Sequence, residues 1–83
     1  MLVRQKWVAA WLTIKLARGN SEERKRAAAQ LGEMKSQAVI PTLEASWADE
    51  IDATVRYFLA AALGDIGGAQ ARASLQRLEA YEQ

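Results

Sequence analysis

Along the first eighteen residues the apolar side chains fall into two ridges, Trp7, Trp11 and Ile14 on one and Val8, Leu12 and Leu16 on the other. Spacings of three and four keep each ridge on one stripe of a helix, and the two stripes lie about 100° or more apart around its axis. Four more stretches follow between the breakers Gly19, Gly32, Pro41, Gly64, Gly67 and Gly68, rich in Ala, Leu, Gln, Glu, Lys and Arg. Those residues are strong helix formers. No segment alternates apolar and polar residues for long, and clusters of Val, Ile and Thr are missing, so no strand is expected. The pattern predicts an all-α chain of five helices near residues 2–18, 21–34, 37–48, 52–66 and 69–81. Asn20 or Ser21 and Asp52 can cap the second and fourth, Pro41 suits a first helical turn, and Gly67 and Gly68 suit the left-handed backbone that ends a helix.

Shifting the chain by 32 residues superposes much of it on itself: Asn20 falls on Asp52, Arg24 on Arg56, Ala28 on Ala60, Leu31 on Leu63, Gly32 on Gly64 and Leu43 on Leu75. The same shift carries Trp7, Trp11 and Ile14 onto Val39, Leu43 and Ser46, which predicts that the Trp ridge packs inward with the third and fifth helices. A fixed period of this length marks stacked helix pairs, because one pair cannot bury its apolar stripe alone. Gly32 and Gly64, each one residue past a core leucine, are expected to let a neighbouring helix come close.

The stretch "DATVRYFLAAALGDIGGAQARASLQRL" and its earlier copy "NSEERKRAAAQLGEMKSQAVIPTL" resemble HEAT-like repeats, especially the short repeats of phycobilisome lyases, whose helix pairs close in an "LGxIG"-type turn. Lys35 stands where the second copy has the turn glycine, Gly67. The resemblance implies a short right-handed α-solenoid over residues 1–83, with a leading helix at 1–19 and repeats at 20–51 and 52–83. It also implies that Arg24 and Arg56 pair with the helix-start aspartate of a neighbouring repeat, Asp52 being one. Lyase-type repeats invite an accessory role beside an enzyme. Iron-binding HEAT-type enzymes use His-Glu pairs, which this chain cannot form.

Composition narrows the chemistry further. The 83 residues contain no Cys and no His, which removes disulfides, thiolate zinc sites and imidazole ligands. No glycine-rich phosphate loop follows a strand, and the carboxylates cluster at helix starts, so neither catalysis nor a cofactor is expected. The net charge is +1, but residues 1–18 carry Arg4, Lys6, Lys15 and Arg18 without an acid. Lys15 interrupts the first apolar run well short of the roughly 20 residues of a membrane span, and no clean cleavage site follows it, so a cytoplasmic placement is expected. The "RKR" run at 24–26 follows Glu22 and Glu23, which weaken its appeal to nucleic acid.

A protein partner or a second copy of the chain remains. With the Trp ridge inward, Val8, Leu12 and Leu16 are expected to face outward as a docking face. Ile40 and Trp47, seven residues apart in the third helix, flank its core stripe and are candidate anchors in a groove.

Overall fold

The computed structural model describes the backbone of residues 2–82 and the side chains of residues 7–80. Five helices account for nearly all of it: α1 (Leu2–Arg18), α2 (Ser21–Glu33), α3 (Ile40–Asp49), α4 (Ala53–Ile66) and α5 (Gly68–Glu82), with a single 3-10 turn at Gln37–Val39 leading into α3. Local chemistry sets the boundaries. Asn20 accepts from the Glu23 amide while the Glu23 carboxylate accepts from the Asn20 amide, a reciprocal capping box that fixes the start of α2. Asp52 accepts from the amides of Thr54 and Val55 and starts α4. Pro41 sits in the first turn of α3. Gly67 and Gly68 have φ of 69° and 86°, a left-handed exit from α4. Thirty-two residues before Gly67, Lys35 makes the same excursion at φ 52° although it carries a side chain. Its Nζ donates to the Asp65 carbonyl at 3.0 Å, which ties the ends of α2 and α4 together.

The helices form two staggered layers, α2 and α4 in one and α1, α3 and α5 in the other, within Cα extents of 41 × 30 × 15 Å. α2 and α4 run parallel. Ser21 Oγ donates to Asp52 Oδ2 at 2.8 Å where they begin, and Lys35 reaches Asp65 where they end. Between those ties the backbones nearly touch: a Cβ on Gly32 would lie 2.8 Å from Ala62 Cα. α1 packs on α2, and α4 sits over the seam between α3 and α5. The core is one continuous cluster that includes Leu12 and Leu16 of α1, Leu31 of α2, Leu43 and Trp47 of α3, and Leu59 and Leu63 of α4. Each such side chain contributes about 1.5–3 kcal/mol by leaving water.

Several expectations are corrected here. Leu12 and Leu16 are buried, at 2% and 4% exposure, whereas Trp7 and Trp11 are 73% and 57% exposed and Ile14 is 56% exposed. Helix α1 is therefore rolled over relative to the predicted orientation. The connector into α4, Glu50-Ile51-Asp52, is one residue longer than Gly19-Asn20 before α2, and Gly67 alone joins α4 to α5 where residues 34–39 join α2 to α3. The period is thus 32 between α2 and α4 but 31 among α1, α3 and α5, so that Leu12, Leu43 and Ser74 are equivalent, as are Leu16, Trp47 and Leu78. An error of one residue turns a helix by about 100°. Ile40 and Trp47 are likewise buried, at 1% and 3% exposure, on the inward side of α3, and offer no anchor. Gly32 does admit a close neighbour, but Gly64 has nothing within 4 Å of where its Cβ would stand, since among the described residues no helix packs on that side of α4.

Candidate functional site

The polar contacts between repeats explain which side chains are already committed. Arg24 reaches Glu50 through Nε at 2.8 Å and through a terminal nitrogen at 3.1 Å, and donates to the Gly19 carbonyl at 2.8 Å. It pairs with Glu50, not with the helix-start Asp52, because the extra residue in the connector brings Glu50 under the guanidinium while Asp52 is held by Ser21 and its own helix. Burial pushes the Glu50 carboxyl up, but hydrogen bonds from Arg24 and from the Asp52 amide, with the charge of Arg24, outweigh it and hold the pKa below the ordinary range. Arg56 differs from its copy: its guanidinium carbon lies 4.4 Å from the Trp47 ring centroid, a cation–π stack. Its Nε is buried and finds no hydrogen-bond acceptor among the described residues.

On the far side of the second layer, Glu44 of α3 accepts from Arg77 Nε at 2.9 Å and from Ser74 Oγ at 2.7 Å, locking α3 to α5. The hydrogen bonds from Arg77 and Ser74 bring its pKa from 4.5 down to about 2. A carboxylate whose pKa is lowered by folding stabilises the fold above its unfolded value and loses that contribution as pH falls toward its folded value. The window therefore runs from about 4.5 down to about 2. In thermal melts, Glu44→Gln should lower the midpoint at pH 6, and the gap from the unaltered chain should close across that window. A gap that stays constant down to pH 2 would show that Glu44 does not carry it.

Ile51 and Tyr57 are exposed singly, whereas the outer face of α1 exposes several large apolar side chains together. Trp7, Trp11 and Ile14 form a stripe at spacings of four and three, opposite Leu12 and Leu16, and Val8 beside them is 45% exposed. The other two helices of the layer provide an internal control. At a period of 31 the equivalent positions are Ala38 in the 3-10 turn with Thr42 and Ala45 on α3, and Ala69, Ala73 and Gln76 on α5. Where the fold requires only small or polar residues, α1 alone carries two indoles and an isoleucine. Trp7, Val8 and Trp11 wall a groove whose other side is Gln30 of α2 and Met34 at its C-terminal cap. The next groove along is lined by Trp11, Lys15, Glu23, Arg26 and Gln30. There Lys15 Nζ lies 5.3 Å from the Trp11 ring centroid and 2.7 Å from Glu23 Oε2.

The flank of α2 along these grooves is also distinctive. Glu23, Arg26 and Gln30 occupy the positions that α4, a period of 32 later, fills with Val55, Phe58 and Ala62 against α2. Polar residues replace apolar ones where, among the described residues, no helix covers the flank. The Trp stripe beside it has not been replaced. Sequence reasoning had all these residues in hand but placed Trp7 and Trp11 inside. The signal that locates them is the 31-residue match of Leu12 and Leu16 to Leu43 and Trp47.

The architecture has a match among known families: the model for HEAT repeats covers residues 9–81. The chain belongs to the HEAT-repeat family. HEAT repeats commonly mediate protein–protein interaction and generally act as scaffolds and not as catalysts. No curated protein and no solved structure matches the chain. Among the described residues no group of acidic side chains is placed to hold a metal ion, and no helix is long and apolar enough to cross a membrane. On the outer face of α1 in this HEAT module, Trp7, Val8, Trp11 and Ile14 are exposed.

Proposed function

We propose that this HEAT module is a non-catalytic interaction scaffold that docks a protein partner on the outer face of α1. The observation that carries the proposal is the exposure of Trp7, Trp11 and Ile14 at positions where α3 and α5 carry small or polar residues. Tryptophan is enriched among residues that dominate binding energy, because a rigid indole buries a large area at small entropic cost. Three exposed apolar side chains at i, i+4 and i+7 form a stripe of the spacing at which one amphipathic helix packs its apolar face on another. Val8 belongs to this surface. Leu12 and Leu16 lie on the buried side of the same helix, while Ile40 and Trp47 belong to the core of α3.

Site-specific photo-crosslinking in the cells that natively make the chain tests this directly. A benzophenone side chain at Ile14 should give a discrete adduct, whereas the same group at its equivalents Ala45 and Gln76 should not. The adduct should vanish in the Trp7→Ser, Trp11→Ser double variant. No adduct from position 14, or the same adducts from all three positions, would refute docking through α1.

A further inference from the structure

We infer that the partner seated against α1 is an acidic amphipathic helix of a different protein, its apolar stripe on Trp7, Trp11 and Ile14 and its carboxylates toward Arg18 and Arg26. The inference rests on the docking role proposed for α1 and adds the chemistry of the occupant.

Charge selects it. Every ionisable side chain in residues 1–18 is a base, Arg4, Lys6, Lys15 and Arg18. One acid lines the groove, Glu23, and it is engaged on both sides, by Lys15 Nζ at 2.7 Å and by the Asn20 amide at 3.0 Å. Arg26 lines the same groove and is exposed, as is Arg18 one turn beyond Ile14, and neither forms an ion pair among the described residues. The two guanidiniums therefore sit beside the apolar stripe with no carboxylate bound to either. A partner that brings carboxylates meets them; one that brings bases is repelled as it approaches.

The same charge argues against the nearest alternative occupant. A second copy packing by two-fold symmetry would set the same patch against itself, opposing the exposed Arg18 and Arg26 with their own copies. Shape argues against a lipid surface, since Trp11 walls two grooves whose opposite sides are Gln30, Met34 and Glu23. A helix can lie in such grooves. A flat bilayer would leave Glu23 and Gln30 facing apolar chains without partners, which is costly.

Two synthetic helical peptides of equal length provide the test. They share one Leu/Ile stripe and differ only in flanks of Glu or Lys, and binding to the whole chain is followed by calorimetry. The Glu peptide should bind at least about tenfold tighter at low ionic strength, and the difference should shrink in about 1 M salt, where the screening length falls to about 3 Å. Arg18→Gln with Arg26→Gln should narrow the difference, and Trp11→Ala should weaken the Glu peptide severalfold or more. Equal binding of the two peptides through Trp11 would overturn the acidic partner and leave docking on α1 standing. Binding of neither would overturn the inference, and with no adduct from Ile14 it would overturn the docking role as well. A blue shift of Trp emission on phosphatidylglycerol vesicles without peptide binding would assign the face to a membrane. A mass that doubles with concentration and reverts in Trp11→Ala would assign it to a second copy.

Discussion

Replacing Leu12 with aspartate should unfold the module or strip α1 from it, while the same replacement at Trp11, one residue earlier, should leave the fold intact. Leu12 is 2% exposed and Leu16, one turn on, is 4% exposed, and both belong to the core cluster. Removing a buried leucine costs about 2–5 kcal/mol, and a carboxylate in its place adds the penalty of an unpaired buried charge. A chain of this length has only about 4–12 kcal/mol to lose, at the usual 0.05–0.15 kcal/mol per residue. At roughly 4–8 °C per kcal/mol for small domains, even the low end lowers the melting midpoint by about 8 °C or more. Trp11 is 57% exposed and its described ring contact is with Lys15. An exposed cation–π contact is worth about 0.5–1 kcal/mol, so Trp11→Asp should shift the midpoint by only a few degrees. Circular dichroism melts of the two variants decide the matter. The reverse order would mean that the Trp ridge, not the Leu ridge, faces the core.

The second large effect concerns two glycines in the same dipeptide. Gly32→Leu should destabilise strongly and Gly64→Ala should stabilise. At Gly32 a Cβ would stand 2.8 Å from the Cα and 3.0 Å from the Cβ of Ala62, and a backbone atom cannot swing aside as a side chain can. The parallel pair α2 and α4 would have to separate, and the ties from Ser21 to Asp52 and from Lys35 to Asp65 would stretch with it. Overpacking of this kind typically costs about 1–3 kcal/mol, occasionally more. Leucine is a good helix former, so the loss cannot be blamed on propensity. Gly64 lies within α4, has open space where a methyl group would stand, and lacks the positive φ of Gly67. A methyl group there should add about 0.5–1 kcal/mol by removing the helix penalty of glycine. Chemical denaturation of both variants should give shifts of opposite sign. Shifts of the same sign would mean that the copies are packed alike.

These experiments probe the places where one sequence pattern has two structural outcomes. The helices, their caps and the paired turns were legible in the chain because they depend on neighbours a few residues away: Asn20 with Glu23, Asp52 with Thr54 and Val55, and Gly67 with the end of α4. Lys35 was legible in part, since it stands where the repeat has glycine and adopts the same left-handed conformation. The face of α1 was not. Both of its ridges have helical spacing and similar apolarity, so the choice between them rests on register with α3. The Leu-Gly repeat reported the period of α2 and α4 and said nothing of the connector lengths that set the phase of the other layer. Arg24 was expected to pair with the helix-start Asp52, but it meets Glu50, whose position is fixed by that same connector.

By itself, then, the sequence determined an all-helical chain of repeated pairs, the caps of α2 and α4, and the basic character of its first segment, because propensity, capping and charge are local properties; the third helix, expected from residue 37, begins at Ile40 after a 3-10 turn at Gln37–Val39. Only the tertiary structure decided that Leu12 and Leu16 go inside and that Trp7, Trp11 and Ile14 remain in water beside Arg18 and Arg26. A single inserted residue rotates a helix by about 100°, and the rotation that wins is the one that lets α1 close over α2 with its leucines.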